Sequence, residues 1–211
     1  MIVTHQEQTL RRICVYCGSS PGRDPQYSQG ARQLGHILAG AGITLVYGGG
    51  DMGLMGDLAR AAIDGGGPVI SVVPRKMVEN LDMELAFGGK VDIRVVESMH
   101  ERKALMAELS DGFIALPGGL GTFEELLEIL TWAQLELHLK PCGILNTLGY
   151  YDRLLDFLDH AASQQFLSQD HRKLLLVSAD PLALLAMLKD YRPAAESKAN
   201  WIRRMSETRP D

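Results

Sequence analysis

Nowhere in its 211 residues does this chain run about 18 apolar residues unbroken, the length a helix needs to cross a bilayer. The opening dozen, MIVTHQEQTLRR, likewise lacks the apolar stretch of a signal peptide. Excess positive charge is missing too: 21 Lys and Arg stand against 26 Asp and Glu, for a formal charge of −5. Covering a nucleic acid polymer takes a basic face, so that class of partner is set aside and any phosphate site has to be local. Cysteine is scarce, at three residues. Cys14 and Cys17 have the C-x-x-C spacing of zinc and redox sites, but side chains three apart on a strand point to opposite faces. No second cysteine pair completes four ligands, so these read as buried strand residues with no metal implied. Internal repeats and low-complexity segments are absent as well. A soluble, cytoplasmic protein follows, with neither membrane nor nucleic acid polymer as partner. At 46% hydrophobic and 22% charged residues, it has material for one substantial core and is short for two.

The rest of the chain is organised around Gly112 to Glu125, GFIALPGGLGTFEE. Phe113, Ile114, Ala115 and Leu116 form an apolar run without a polar break, the pattern of a strand buried on both faces of a parallel sheet. Pro117 and the glycines stop it. Gly118, Gly119 and Gly121, with Leu120 among them, leave backbone N–H groups unobstructed. Thr122 then opens a long amphipathic segment, so the loop ends at a helix N-terminus, where free donors and the helix dipole favour an anion. The spacing predicts a phosphate cradle. Glu125, one turn in, has two readings: a carboxylate placed for chemistry, or the partner of Thr122 in a T-x-x-E capping box worth about 1 kcal/mol.

Upstream, residues 13 to 17 read as a buried strand ending in Gly18-Ser19-Ser20, small residues suited to presenting donors. A helix over 26 to 41 and a strand over 43 to 47 follow. YGGGDMGLMG comes next, where Gly48, Gly50 and Gly53 fit G-x-G-x-x-G, with Gly49 inside the run. A dinucleotide fingerprint belongs after the first strand, not the second. Two readings stay open there, glycines for tight turning only and an NADP site using Arg75. Residues 76 to 90 suggest an excursion over the strand ends, and Val91 to Val96 alternates like a less buried strand. Ser98 and Glu101 make a capping box that fixes where His100, Arg102 and Lys103 emerge. Cations sit in these first turns against the dipole's preference, which points to partner anions.

Downstream, the helix over 122 to 138 is apolar around more than half its circumference, so a twofold-related copy is expected on the surface the sheet does not cover. A strand over 142 to 146, a helix over 150 to 164, a strand over 174 to 177 and a helix over 181 to 191 complete the alternation. It predicts a single-domain, doubly wound parallel α/β sheet spanning 13–191, between an N-terminal extension, 1–12, and a loosely attached polar tail, 192–211, where Trp201 is the residue placed to dock. The loops at 18–20, 48–53 and 117–121 all leave strand carboxyl ends, where such folds carry their ligand crevice.

MHERK (Met99 to Lys103) followed by PGGLGTFEE (Pro117 to Glu125), together with CGSS, YGGG, ILTWAQL and GILN, resembles the Lonely Guy family of cytokinin-activating phosphoribohydrolases over about Ile13 to Tyr191. The resemblance implies a Rossmann-like homodimer without cofactor or metal. Its substrates would be N6-modified adenosine 5′-monophosphates, cleaved at the N-glycosidic bond to free base and ribose 5-phosphate. Carried over position by position, the catalytic pair falls on Arg102 and Glu125. Substrate contacts fall on Glu84, Lys103, the loop from Gly119 to Thr122, and Thr131. Gly18, Ser19, Gly48, Gly49 and Gly118 complete the expected site. An adjacent Arg102 is expected to favour the ionised form of Glu125. A general nucleoside-monophosphate nucleosidase and a non-catalytic nucleotide or cofactor carrier stand as alternatives, and a carrier has no need of the Arg102 and Glu125 pair. Lysine decarboxylation, once ascribed to some members, needs a pyridoxal-holding lysine in a context these motifs do not supply.

Overall fold

In the computed structural model, residues 9–78, 87–193 and 197–207 are described. The chain alternates strand and helix: β1 (Arg12–Tyr16), α1 (Pro25–Gly40), β2 (Thr44–Tyr47), α2 (Gly53–Asp64), β3 (Val69–Pro74), α3 (Arg75–Val78) and β4 (Val91–Val96). It continues with α4 (Met99–Leu109), β5 (Gly112–Ala115), α5 (Leu120–Gln134), β6 (Cys142–Leu145), a short 3-10 turn (Thr147–Gly149), α6 (Asp152–Ser163) and α7 (Gln169–Arg172). Last come β7 (Leu175–Ser178), α8 (Pro181–Lys189) and α9 (Lys198–Glu207).

Seven strands form one parallel sheet in the order β4-β3-β2-β1-β5-β6-β7. From β1 the chain winds outward through β2 and β3 to β4, then returns to lay β5 on the other side of β1. The winding direction therefore reverses between β1 and β5, whose register runs from Ile13 opposite Gly112 to Tyr16 opposite Ala115. At such a point the loops leaving the two strands diverge and open a crevice. β1 after Arg12 and the whole of β5 are buried, as their apolar runs require, whereas β4 at the edge is mostly exposed or half-buried.

Each face of the sheet has its own core. Ile13, Val15, Leu45, Tyr47 and Ile114 pack under α1, α2 and α8, and Cys14, Tyr16, Val46, Phe113 and Ala115 pack under α4, α5 and α6. Cys14 and Cys17 fall into opposite cores, as the strand period requires, and burial pushes both thiols up. Helix starts follow their caps. Asp24 accepts from the Gln26 N–H at 2.9 Å, and Asp180 from the Ala183 N–H at 2.7 Å, each just ahead of a proline. The tail is not featureless: α9 places Trp201 edge-on to His171, ring centroids 6.2 Å apart. Among the described residues, no helix is long and apolar enough to cross a membrane.

Candidate active site

The β1 and β5 loops are joined where the sheet reverses. Gly18 N–H donates to the Pro117 carbonyl at 3.0 Å. A Cβ on Gly118 would overlap the Thr122 side chain and stand 2.9 Å from the Gly18 nitrogen, so this approach needs glycine. With Ser19, Tyr27, Gly119 and Tyr150, these glycines line a cleft of about 320 Å³.

Helix α5 starts at this cleft. Gly119 is its N-cap, in extended backbone and without a side-chain cap bond. The first intrahelical bond runs from Phe123 N–H to the Gly119 carbonyl at 3.1 Å. The N–H groups of Leu120, Gly121 and Thr122 precede it and have no intrahelical acceptor. Open space lies where Cβ atoms on Gly119 and Gly121 would stand, and Leu120 is 86% exposed. The donors expected of a phosphate cradle are therefore present and uncrowded.

This start corrects the capping-box reading of Thr122 and Glu125. The helix begins two residues earlier than the sequence predicts, so Thr122 occupies the third helical position with its side chain buried against Gly118. Glu125 lies too deep in the helix to cap it.

Helix α4 delivers the cation. The Ser98 hydroxyl accepts from the Glu101 N–H at 3.2 Å, and the Glu101 carboxylate accepts from the Glu97 N–H at 2.9 Å. That fixed start turns Arg102 toward α5, where its Nη2 lies 3.6 Å from Glu125 Oε1. Both side chains are nearly buried, at 11% and 12% exposure. A Cβ on Gly48 would collide with the guanidinium, so the glycine loop after β2 makes room for the arginine, with Gly49 buried beside it. Arg102 Nη1 lies 3.6 Å from Met99 Sδ, and Arg102 Nε is buried without a hydrogen-bond partner among the described residues. A buried donor left unpaired is rare and marks a place for a ligand atom or water.

Burial raises the Glu125 carboxyl above its ordinary value, and the nearby Arg102 charge only partly draws it back. Arg102 favours the ionised form, as expected, but the net direction is upward because desolvation, which the sequence does not show, outweighs the ion pair. Lys103 turns the other way along α5, with Nζ 2.5 Å from Glu124 Oε1 and 3.0 Å from Glu128 Oε1. The Glu124 hydrogen bond is the largest influence, and the ammonium is held above its ordinary pKa.

Among the residues expected at the site, the fold gathers Gly18, Ser19, Gly118, Gly119 and Thr122 at the crevice. Gly48, Arg102 and Glu125 meet on the α4 and α5 side of the same sheet edge. Thr131 is not gathered with them: it is exposed, roughly 9 Å further along the α5 axis than Glu125, and its hydroxyl donates to the Leu127 carbonyl at 2.7 Å. Glu84 lies outside the described residues. Arg75, the candidate for a dinucleotide 2′-phosphate, is paired with Glu97, Nη2 to Oε1 at 2.6 Å. Sequence reasoning missed Tyr150 and Tyr151, whose hydroxyls donate to the Gly118 and Leu116 carbonyls at 2.5 and 2.6 Å. Their signal was a tyrosine pair just past the predicted 142–146 strand, at the edge where the glycine loops also emerge.

Comparison with known proteins identifies the family. A family model described as possible lysine decarboxylase matches residues 55–188. The probable cytokinin riboside 5′-monophosphate phosphoribohydrolase LOGL5 of Oryza sativa subsp. japonica is 50% identical over 196 residues, covering 91% of this chain and 78% of that protein. LOG3 of Arabidopsis thaliana, a cytokinin riboside 5′-monophosphate phosphoribohydrolase, is 46% identical over 194 residues, 92% of this chain and 89% of that one. Among solved structures, the molybdenum cofactor binding protein from Rippkaea orientalis matches with a TM-score of 0.63 at 24% identity, over 84% of this chain and 94% of that one. An identity that low carries the fold alone. With the PGGLGTFEE loop at the sheet's switch point and relatives alike over nine-tenths of its length, this chain belongs to the Lonely Guy family of cytokinin riboside 5′-monophosphate phosphoribohydrolases.

Proposed function

We propose that this protein hydrolyses the N-glycosidic bond of N6-substituted adenosine 5′-monophosphates of the cytokinin type. The observation that carries this reading is the nearly buried Arg102 and Glu125 pair, beside an unpartnered Arg102 Nε, at the sheet edge where the α5 N-terminus opens. The 5′-phosphoryl group binds the loop from Gly118 to Thr122, with Gly18, Ser19, Gly48 and Gly49 shaping the rest of the pocket. Breaking the C1′–N9 bond sends its electron pair to the base, which takes up a proton, and leaves positive charge on the sugar. The Glu125 carboxylate stabilises that charge and takes a proton from the water whose oxygen bonds C1′; giving that proton up again supplies the one the base takes up and restores the carboxylate. Free base and ribose 5-phosphate leave. Neither metal nor cofactor is needed.

Arg102 grips substrate through its free Nε donor and favours the ionised form of Glu125. Lys103 and Glu84 complete the proposed substrate contacts, and Lys103, with two of its three N–H donors on Glu124 and Glu128, has one left for an anion. A hydrophobic N6 substituent would meet the exposed Met52 before α2, Met99 beside Arg102 and Leu120 at the start of α5. The protein works in the cytoplasm as a homodimer, whose second copy covers the exposed Leu127 on α5 and Leu135 and Leu137 just past its end. The test is base release from isopentenyladenosine monophosphate, AMP and other nucleotides. Fastest release from the N6-modified nucleotide is expected. Equal rates on AMP would make the protein a general nucleosidase, and no release from any nucleotide would overturn the reading.

A further inference from the structure

Three consecutive carbonyls in the turn from β5 to α5 are each taken up by the protein itself. Leu116 C=O accepts from the Tyr151 hydroxyl at 2.6 Å, Pro117 C=O from the Gly18 N–H at 3.0 Å, and Gly118 C=O from the Tyr150 hydroxyl at 2.5 Å. Carbonyl oxygens carry partial negative charge, so one turned toward a bound phosphoryl group would repel it. In a planar trans peptide the C=O and the following N–H point in opposite directions. Holding the Gly118 carbonyl on Tyr150 therefore aims the Gly119 N–H away from the tyrosine.

The two tyrosines are well placed to hold this arrangement. Asn146 fixes the turn that carries them: its Oδ1 accepts from the Tyr151 N–H at 2.8 Å and its Nδ2 donates to Asp152 Oδ1 at 2.7 Å. Their rings cross edge to face with centroids 5.0 Å apart. Phe123, in the first turn of α5, packs on both, at 6.4 Å from Tyr150 and 6.0 Å from Tyr151. One brace thus touches both the loop and the helix that the loop enters.

We infer that Tyr150 and Tyr151 are positioning residues for the phosphoryl group: a clamp that holds the loop's carbonyls on hydroxyl donors so that N–H groups are left to face the anion. The inference rests on the reading that the α5 N-terminus takes a 5′-phosphoryl group. Tyr150→Phe tests it, because the ring and its aromatic packing stay while the hydroxyl donor goes. Titrating inorganic phosphate by calorimetry should show about tenfold weaker binding, the loss expected of one hydrogen bond's worth of alignment. KM for the nucleotide monophosphate should rise by a similar factor with kcat within about twofold, the pattern of lost binding common to ground and transition states. Unchanged phosphate affinity and KM would overturn the clamp, as would a fall in kcat at constant KM. Should the wild-type protein release no base from any nucleotide, the hydrolase reading fails alone. The phosphate titration still decides the clamp, since it needs no turnover.

Discussion

Glu125→Gln is expected to lower turnover about 10²- to 10⁴-fold, the usual loss when a positioned carboxylate can no longer carry charge or accept a proton. The fold should survive. Glutamine has the same shape, the side chain caps nothing, and α5 keeps its Gly119 start. The stability change has a definite sign. A carboxyl whose pKa rises on folding costs stability once pH passes its unfolded value, because the unfolded chain ionises first, and the cost is complete above the folded value. Burial raises Glu125 in this way, so the glutamine variant should melt no lower than wild type at pH 7. Any difference from this source should fade below about pH 4, where both states of the wild-type group are protonated. The same shift places the acid limb of kcat/KM, which reports the free enzyme, above the ordinary glutamate value of about 4.3, and Arg102→Met should move it further up by removing the charge that draws Glu125 down. Near-normal turnover in the glutamine variant would remove Glu125 from the chemistry.

The second large effect concerns the phosphoryl group. Hydrolysis of the nucleotide monophosphate should exceed that of the unphosphorylated riboside by about 10²- to 10⁴-fold in kcat/KM. Charge-assisted hydrogen bonds are each worth roughly 1.5 to 3 kcal/mol, and the riboside leaves two or more unused. The donors are the N–H groups of Leu120, Gly121 and Thr122, which precede the first intrahelical bond of α5. Anchoring the phosphoryl group there also fixes the sugar relative to Glu125, so part of the loss should fall on kcat. Initial rates on the two substrates decide it, and equal kcat/KM values would defeat the phosphate assignment.

Local chemistry made much of this visible in the sequence. Apolar quartets such as Phe113 to Leu116 marked the doubly buried strands, and Ser98 with Glu101 fixed the start of α4. Glycine-rich loops after three strands marked the carboxyl edge where the fold opens. Other features depended on contacts between distant segments. The burial that raises Glu125 is a property of packed helices, and an ion pair read from sequence alone gives the opposite sign. Lys103 finds Glu124 and Glu128 only once α4 lies against α5. The Tyr150 and Tyr151 clamp spans more than thirty residues to reach Gly118 and Leu116. The start of α5 was misplaced by two residues because glycine served as its cap, and glycine leaves no side-chain signature there.

The most direct measurement is a crystal structure of the Glu125→Gln protein, slowed enough to hold isopentenyladenosine monophosphate. The phosphoryl oxygens should sit on the backbone N–H groups from Gly119 to Thr122, with C1′ facing the residue-125 amide and Arg102 beside it. A nucleotide bound with its phosphoryl group away from this loop, or with its sugar out of reach of residue 125, would contradict the account.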